Sequence, residues 1–421
     1  LPRSSLWVLY LIAAMRTTCE TVVFAYLPIA LYRMTGQEGL TLISLMTAVP
    51  AVVRFFAAQG WGIAIDRAGR QKPFIVMGIG TQALLLASLS ATRSVPAIVL
   101  LISGAALFSS ALSPAARTTA TLADEAHSQT KAPAIGILPK LLKLESVGWL
   151  IGGMAPGFLL DHAGLKMEHL LLGASAVAAA TAALGLLKLQ DAPLTREAAD
   201  GARQDKHPSP RRWLEALRSF GEGLLVLYRR PEFAGLLLTL FFTFFAREAF
   251  FTTYGIYFTE LGGSTTLYGA SISIATFLGI LLYDAAAHMT RRWGSVRLVR
   301  VTGAVYVLGY VITVAWPSPW GLFAFFSLPL FPFLTMAAAS AVMQMSAARE
   351  RGRGLGILEA TDLLAVALGS VCAGSVAARF GLAAVPLVSL AVGGAGLIGS
   401  ALIRRQSPTR RPSPGVEPAK E

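Results

Sequence analysis

Eight ionisable residues stand inside stretches of the chain that are otherwise apolar: Arg16, Glu20, Arg54, Glu145, Arg247, Glu248, Glu359 and Asp362. An arginine keeps its charge in any protein setting, so it can hold an anionic or zwitterionic group of a ligand. A carboxylate in a partly dry place can take up and release a proton. Arg16 and Glu20 are four residues apart, which puts them on one face of a helix. Such charges can instead serve only to neutralise one another: Arg16 with Glu20, and Arg247 with a partner, would then be structural ion pairs. Arg16, Arg54 and Arg247 set against Glu20 and Glu248 leave this group net positive. Glu145, Glu359 and Asp362 are alternative proton sites.

The elements that must position these residues follow from composition. Of 421 residues, 54% are hydrophobic and 14% charged, where a soluble domain keeps about a quarter charged. The apolar residues fall into twelve blocks long enough to cross a bilayer. They run approximately 6–32, 40–65, 74–91, 95–122, 141–160, 170–189, 233–259, 267–289, 298–316, 320–347, 354–380 and 382–403. None shows the polar alternation of a barrel strand, so all are expected to be helices, spans one to twelve. The first block is too long for a signal peptide and carries charges in its middle, so it should remain in the mature protein.

The net charge of +13 sits largely in loops rather than in a nucleic-acid surface. Arg67, Arg70 and Lys72, Arg291 to Arg300, Arg349 to Arg353 and Arg404 to Arg411 all belong to one side of the membrane. By the positive-inside rule that side is the cytoplasm, and both termini of a multi-pass cell-membrane protein lie there. The five histidines lie in loops or near span ends, and Cys19 and Cys372 lie in apolar blocks, so neither a metal cluster nor a disulfide framework is expected. There is no phosphate-binding Gly-Lys-Ser/Thr loop, serine elbow or metal-binding histidine pair, which excludes a nucleotide-driven pump and a membrane enzyme of those types. No cofactor is expected.

A polar stretch, Gln190 to Arg212, divides the chain into an N-terminal half, 1–189, and a C-terminal half, 233–403. The remainder of 190–232 carries an amphipathic pattern from Trp213 to Leu227, and 404–421 reads as a disordered tail. The halves look alike. Gly69 aligns with Gly294 in the loops after spans two and eight. In spans five and eleven, aligning Gly157 with Gly374 sets Glu145 opposite Asp362, whereas aligning Gly136 with Gly356 sets Glu359 opposite Pro139. The sequence leaves both registers open.

Gly62, Asp66, Arg67, Gly69, Arg70 and Lys72, between spans two and three, fit the signature of the major facilitator superfamily, which the whole chain resembles. The resemblance implies an all-α integral membrane protein of twelve helices in two pseudo-symmetric halves. It also implies that Asp66 faces the N-terminal end of span eleven near Gly354, while Arg67 and Arg70 pair with acids such as Asp124. Gly62 would permit close helix approach and Gly69 a left-handed turn. Lys140 and Lys143 with Asp284 form a second expected cytoplasmic gate. Spans one, four, seven and ten of the family line a central cavity, which would gather Arg16, Glu20, Arg247 and Glu248, with Arg54 on a side wall. Tyr26 and Tyr254 are the tyrosines expected to line it.

The expected function is secondary active transport by alternating access, with a monomer in the bilayer exporting an amphipathic or organic-anion compound in exchange for protons. Arg16, Arg54 or Arg247 would contact the substrate, and Glu20 or Glu248 would carry the proton. Alternatives are a lipid flippase-like carrier or importer of a polar anion, and a non-transporting receptor.

Overall fold

The computed structural model of the chain describes residues 3–128, 137–191, 231–346 and 351–400. Ten helical segments among them are both long and apolar enough to cross a membrane. Ile137–Asp161 and the shorter apolar helix Ala384–Ser400 complete the twelve spans. The expected amphipathic segment 213–227 and the tail 404–421 lie outside the described residues.

In the N-terminal half, span one is Ser4–Thr35, span two Leu40–Ala68, span three Lys72–Ala91, span five Ile137–Asp161 and span six Met167–Lys188. Span four is two helices, Val95–Ser109 and Leu112–Ser128. In the other half, spans seven, eight and nine are Pro231–Glu260, Thr265–Trp293 and Ser295–Ala315. Span ten is again broken, into Pro319–Phe326 and Leu330–Met345, and spans eleven and twelve are Arg351–Phe380 and Ala384–Ser400. Both breaks fall in the fourth span of their half. At the first, the Leu107 carbonyl accepts from the Ser110 hydroxyl at 2.9 Å and from the indole Nε1 of Trp61 at 2.5 Å. At the second, Pro329 lacks the N–H that an unbroken helix requires. Span one has its own irregularity, a π-helical turn at Val22–Tyr26.

The backbone selects between the two registers left open by the sequence. Among the described residues six glycines adopt positive φ, and they pair across the halves: Gly36 with Gly262, Gly69 with Gly294, Gly164 with Gly381. The last pair belongs to the register that sets Gly157 on Gly374, so Asp362, not Glu359, is the counterpart of Glu145. Packing agrees. A side chain at Gly157 would strike the Thr265 carbonyl of span eight, and one at Gly374 would strike the Leu40 carbonyl of span two. Leu40 and Thr265 are themselves equivalent when Gly69 is set on Gly294.

These contacts are the seam between the halves, made where span two meets span eleven and span five meets span eight. The cross-half hydrogen bonds cluster at the end away from the Gly69 loop, called the far end below. Asp161 accepts from the Thr266 N–H at 2.6 Å and from the Thr265 and Thr266 hydroxyls; the Ser273 hydroxyl donates to Leu150 O at 2.8 Å; Gln37 donates to Ala377 O and Ala378 O. Gly269 packs so tightly on Gly153 and the Tyr26 hydroxyl that it has no room for a Cβ. Gly269→Val should therefore destabilise the sealed arrangement by about 1–3 kcal/mol, the usual cost of overpacking. Spin labels at Glu38 and Arg379, exposed far-end positions on opposite halves, should then report longer distances than in the parent protein.

Candidate functional site

Span five is glycine-rich because it is squeezed between two partners. Gly148 and Gly152 lie against Ala14, Thr17, Thr18 and Thr21 of span one, while Gly153 and Gly157 lie against Thr265, Gly269 and Ser273 of span eight. Each pair has the four-residue spacing that lets helix backbones approach closely. The close approach is reinforced by the Thr17 hydroxyl, which donates to Glu145 O at 2.7 Å, and by that of Thr18, which donates to Gly148 O at 3.1 Å.

At this depth Arg16 reaches across to Glu145 at 2.9 Å and along its own helix to Glu20 at 3.3 Å, and Arg54 of span two closes the group on Glu20 at 3.1 Å. The Arg54 guanidinium also lies over the Phe24 ring, 5.6 Å from its centroid. In the other half Arg247 reaches Asp362 of span eleven at 3.0 Å and neighbouring Glu248 at 3.8 Å, and its guanidinium lies 5.1 Å from the Phe244 ring centroid and 5.7 Å from that of Phe331. Glu145 and Asp362, at equivalent positions, each hold an arginine from the first helix of their half, and the pairs join span one to five and span seven to eleven. Arg16 and Arg247 themselves stand about one turn apart in the register that pairs Gly36 with Gly262.

This arrangement corrects the charge balance expected from sequence. Glu145, which is buried, and Asp362, whose side chain is 38% exposed, join the group, which becomes three arginines against four carboxylates. The N-terminal set is balanced, and the C-terminal set has one acid in excess. The charges also form two sets, one in each half, with no ion pair between them among the described residues. Glu359 is exposed and outside both.

Other residues singled out in the sequence fall elsewhere. Tyr26 and Tyr254 are fully buried in the far-end layer rather than set on a cavity wall. The Tyr26 hydroxyl donates to Gly153 O within its own half, its ring meets Tyr268 edge-on at 5.5 Å, and the Tyr268 hydroxyl donates across the seam to Ala25 O. Tyr254 stacks on Phe326 at 4.0 Å and its hydroxyl is 2.8 Å from that of Ser271. Gly69 makes the expected left-handed helix end, with φ 58°. A Cβ at Gly62 would meet only open space, so no close approach requires glycine there in this arrangement. Arg70 is exposed, and the side chains of Asp66, Arg67 and Asp124 lie outside the described residues. Lys140, Lys143 and Asp284 are all exposed, with no ion pair linking them among the described residues.

Asp191 is a positioning residue that the sequence did not disclose. Its carboxylate accepts from the N–H groups of Gln71 and Lys72 at 2.8 and 2.7 Å, tying the end of span six to the Gly69 loop and the start of span three. An acid just after an apolar block, facing a helix start elsewhere in the chain, was the available signal. No group of three or more histidine, cysteine or acidic residues among the described residues is arranged to hold a metal ion.

Buried pairs of this type are costly to break from one side. Arg16→Ala should destabilise the protein by about 3–5 kcal/mol, because it leaves the Glu145 carboxylate without its cation. Arg16→Ala combined with Glu145→Ala should recover part of that loss in a double-mutant cycle followed by unfolding in mixed micelles. Strictly additive losses would show that the pair is not coupled.

Solved structures share the architecture. A point mutant of the nucleoside transporter NupG superimposes with a TM-score of 0.77 at 14% identity, over 95% of this chain and 100% of that one. A bacterial homologue of the human lysosomal transporter Spinster, inward-facing and occupied, gives 0.70 at 13% identity, over 97% and 98%. The human organic anion transporter MFSD10 (TETRAN) gives 0.61 at 18% identity, over 96% and 100%. At these identities the likeness is one of fold. No curated protein matches the sequence. The profile of a family described as "MFS_1 like family" matches residues 25–385.

Proposed function

Because the chain belongs to this MFS_1-like family of membrane transporters, we propose that it carries a small organic anion across the bilayer by alternating access, coupled to protons. The observation that supports this reading is Arg247, held between Asp362 at 3.0 Å and Glu248 at 3.8 Å. An anionic substrate that takes this guanidinium must displace a carboxylate. A carboxylate left at that depth without its cation is neutralised by taking a proton. Substrate and proton then bind together and travel together. Arg16 with Glu145 and Glu20 offers the same exchange in the other half. The organic anion transporter among the fold relatives is consistent with this substrate class.

The excess acid in the C-terminal set supports the rival direction expected from sequence. A positively charged amphipathic substrate would compete with the proton for Glu248 and be exported in exchange for it. In both cases the far-end seam is the closed gate of this state, and the Gly69 loop, with Asp66 facing the start of span eleven, is the gate that closes when the halves rock. The basic loops and termini are assigned to the cytoplasmic face of the cell membrane, with the monomer as the working unit.

Purified protein in liposomes distinguishes these cases. With the outside made acidic, a labelled aryl carboxylate or aryl sulfonate should accumulate inside, and Glu248→Gln or Asp362→Asn should abolish accumulation while leaving exchange of labelled for unlabelled substrate. Expulsion of an amphipathic cation under the same gradient would favour the exchange reading. Transport indifferent to every imposed gradient would contradict proton coupling.

A further inference from the structure

The two main ion pairs differ in how open they are. The side chains of Arg16 and Glu145 are 13% and 12% exposed, whereas that of Asp362, the partner of Arg247, is 38% exposed. Arg247 and Asp362 both lie well inside their helices, Pro231–Glu260 and Arg351–Phe380. Charged groups at such depth face the interior of a bundle or a water-filled space rather than lipid. The open side of Asp362 therefore faces inward, where a ligand can reach it.

Phe331 borders the same place. It stands in the first turn of Leu330–Met345, the second helix of span ten, which packs against spans eight, nine and eleven. The next residue, Pro332, packs on Gly279 of span eight, while the Phe331 ring lies 5.7 Å from the Arg247 guanidinium. The two rings beside that guanidinium differ in kind. Phe244 is 5% exposed and belongs to the core, but Phe331 is 59% exposed. Water against an apolar ring is unfavourable, and an open ring next to a fixed charge is the makeup of a site for an amphipathic ligand. Aromatic rings pair with centroids about 4.5–7 Å apart. A ring joined directly to an anionic group on Arg247 falls within that reach of Phe331.

We propose that Phe331 is a specificity-determining residue, which stacks on an aromatic ring of the carried anion while the charged end of that anion takes the place of Asp362 on Arg247. The substrate class is thus an aryl anion rather than any organic anion of similar size. The inference rests on the transporter reading for its purpose, but binding can be measured without transport.

The test compares benzoate with cyclohexanecarboxylate, which carries the same charge on a saturated ring of similar size, by calorimetric titration of the full-length protein in detergent near neutral pH. The parent should bind benzoate about two- to tenfold more tightly, the ratio that corresponds to one aromatic pair. Phe331→Leu keeps an apolar side chain without a ring face and should bring the ratio close to one by weakening benzoate. Phe331→Tyr should preserve the ratio. Phe331→Met replaces the leucine variant if that one does not fold. Equal binding of the two anions by the parent, or a preference for benzoate that survives loss of the ring, would overturn the role of Phe331 and leave the transporter reading in place. Binding of neither anion by the parent would overturn the anion reading and this inference with it.

Discussion

A guanidinium buried in a membrane cannot escape its charge by giving up a proton, so a carboxylate must be brought to it. That constraint organises both halves of this protein. Arg16 on span one draws Glu145 from span five, and Arg247 on span seven draws Asp362 from span eleven. Each pair joins the helix that carries the arginine to the one that forms the seam with the opposite half. The same groups are then placed where a substrate or a proton could compete for them. On the proposed reading structure and chemistry use one set of side chains, so the charge balance matters: the N-terminal set is neutral, and the C-terminal set has an acid in excess.

The seam is built on the opposite principle. It consists of glycine against carbonyl, threonine against glycine and a tyrosine, Tyr268, donating across the boundary, and the Asp161 carboxylate there faces N–H and hydroxyl donors rather than a cation. Close packing without a buried ion pair can separate without stranding a charge. Among the described residues the ion pairs lie within each half and the interactions between halves contain no ion pair, which is the division that rocking of two rigid bodies requires.

Much of the fold was legible in the sequence because membrane spans are written in long apolar blocks, and the described helices match the twelve blocks to within several residues at most ends. The breaks in spans four and ten were not legible, since the blocks continue through them. The duplication was visible at Gly69 and Gly294, yet the register of spans five and eleven was settled only by backbone φ and by the carbonyls facing Gly157 and Gly374. Arg16 and Glu20 declared themselves by helical spacing. Glu145 did not, because its partner lies 129 residues away in sequence and only packing brings them together. The expected net positive cavity failed for that reason: a count along the chain omits acids supplied by other helices. Tyr26 and Tyr254 were assigned to a cavity by residue type, but a buried hydroxyl that can donate to a carbonyl serves equally well to lock a seam.

The central claim is that an anion reaching Arg247 frees a carboxylate, which then takes a proton. It is tested most directly by counting protons when an aryl carboxylate or sulfonate is mixed with lightly buffered, detergent-purified protein containing a pH-indicator dye. The account predicts proton uptake that saturates with binding and disappears in Glu248→Gln combined with Asp362→Asn. Proton release, or binding with no proton change in the parent protein, would contradict it.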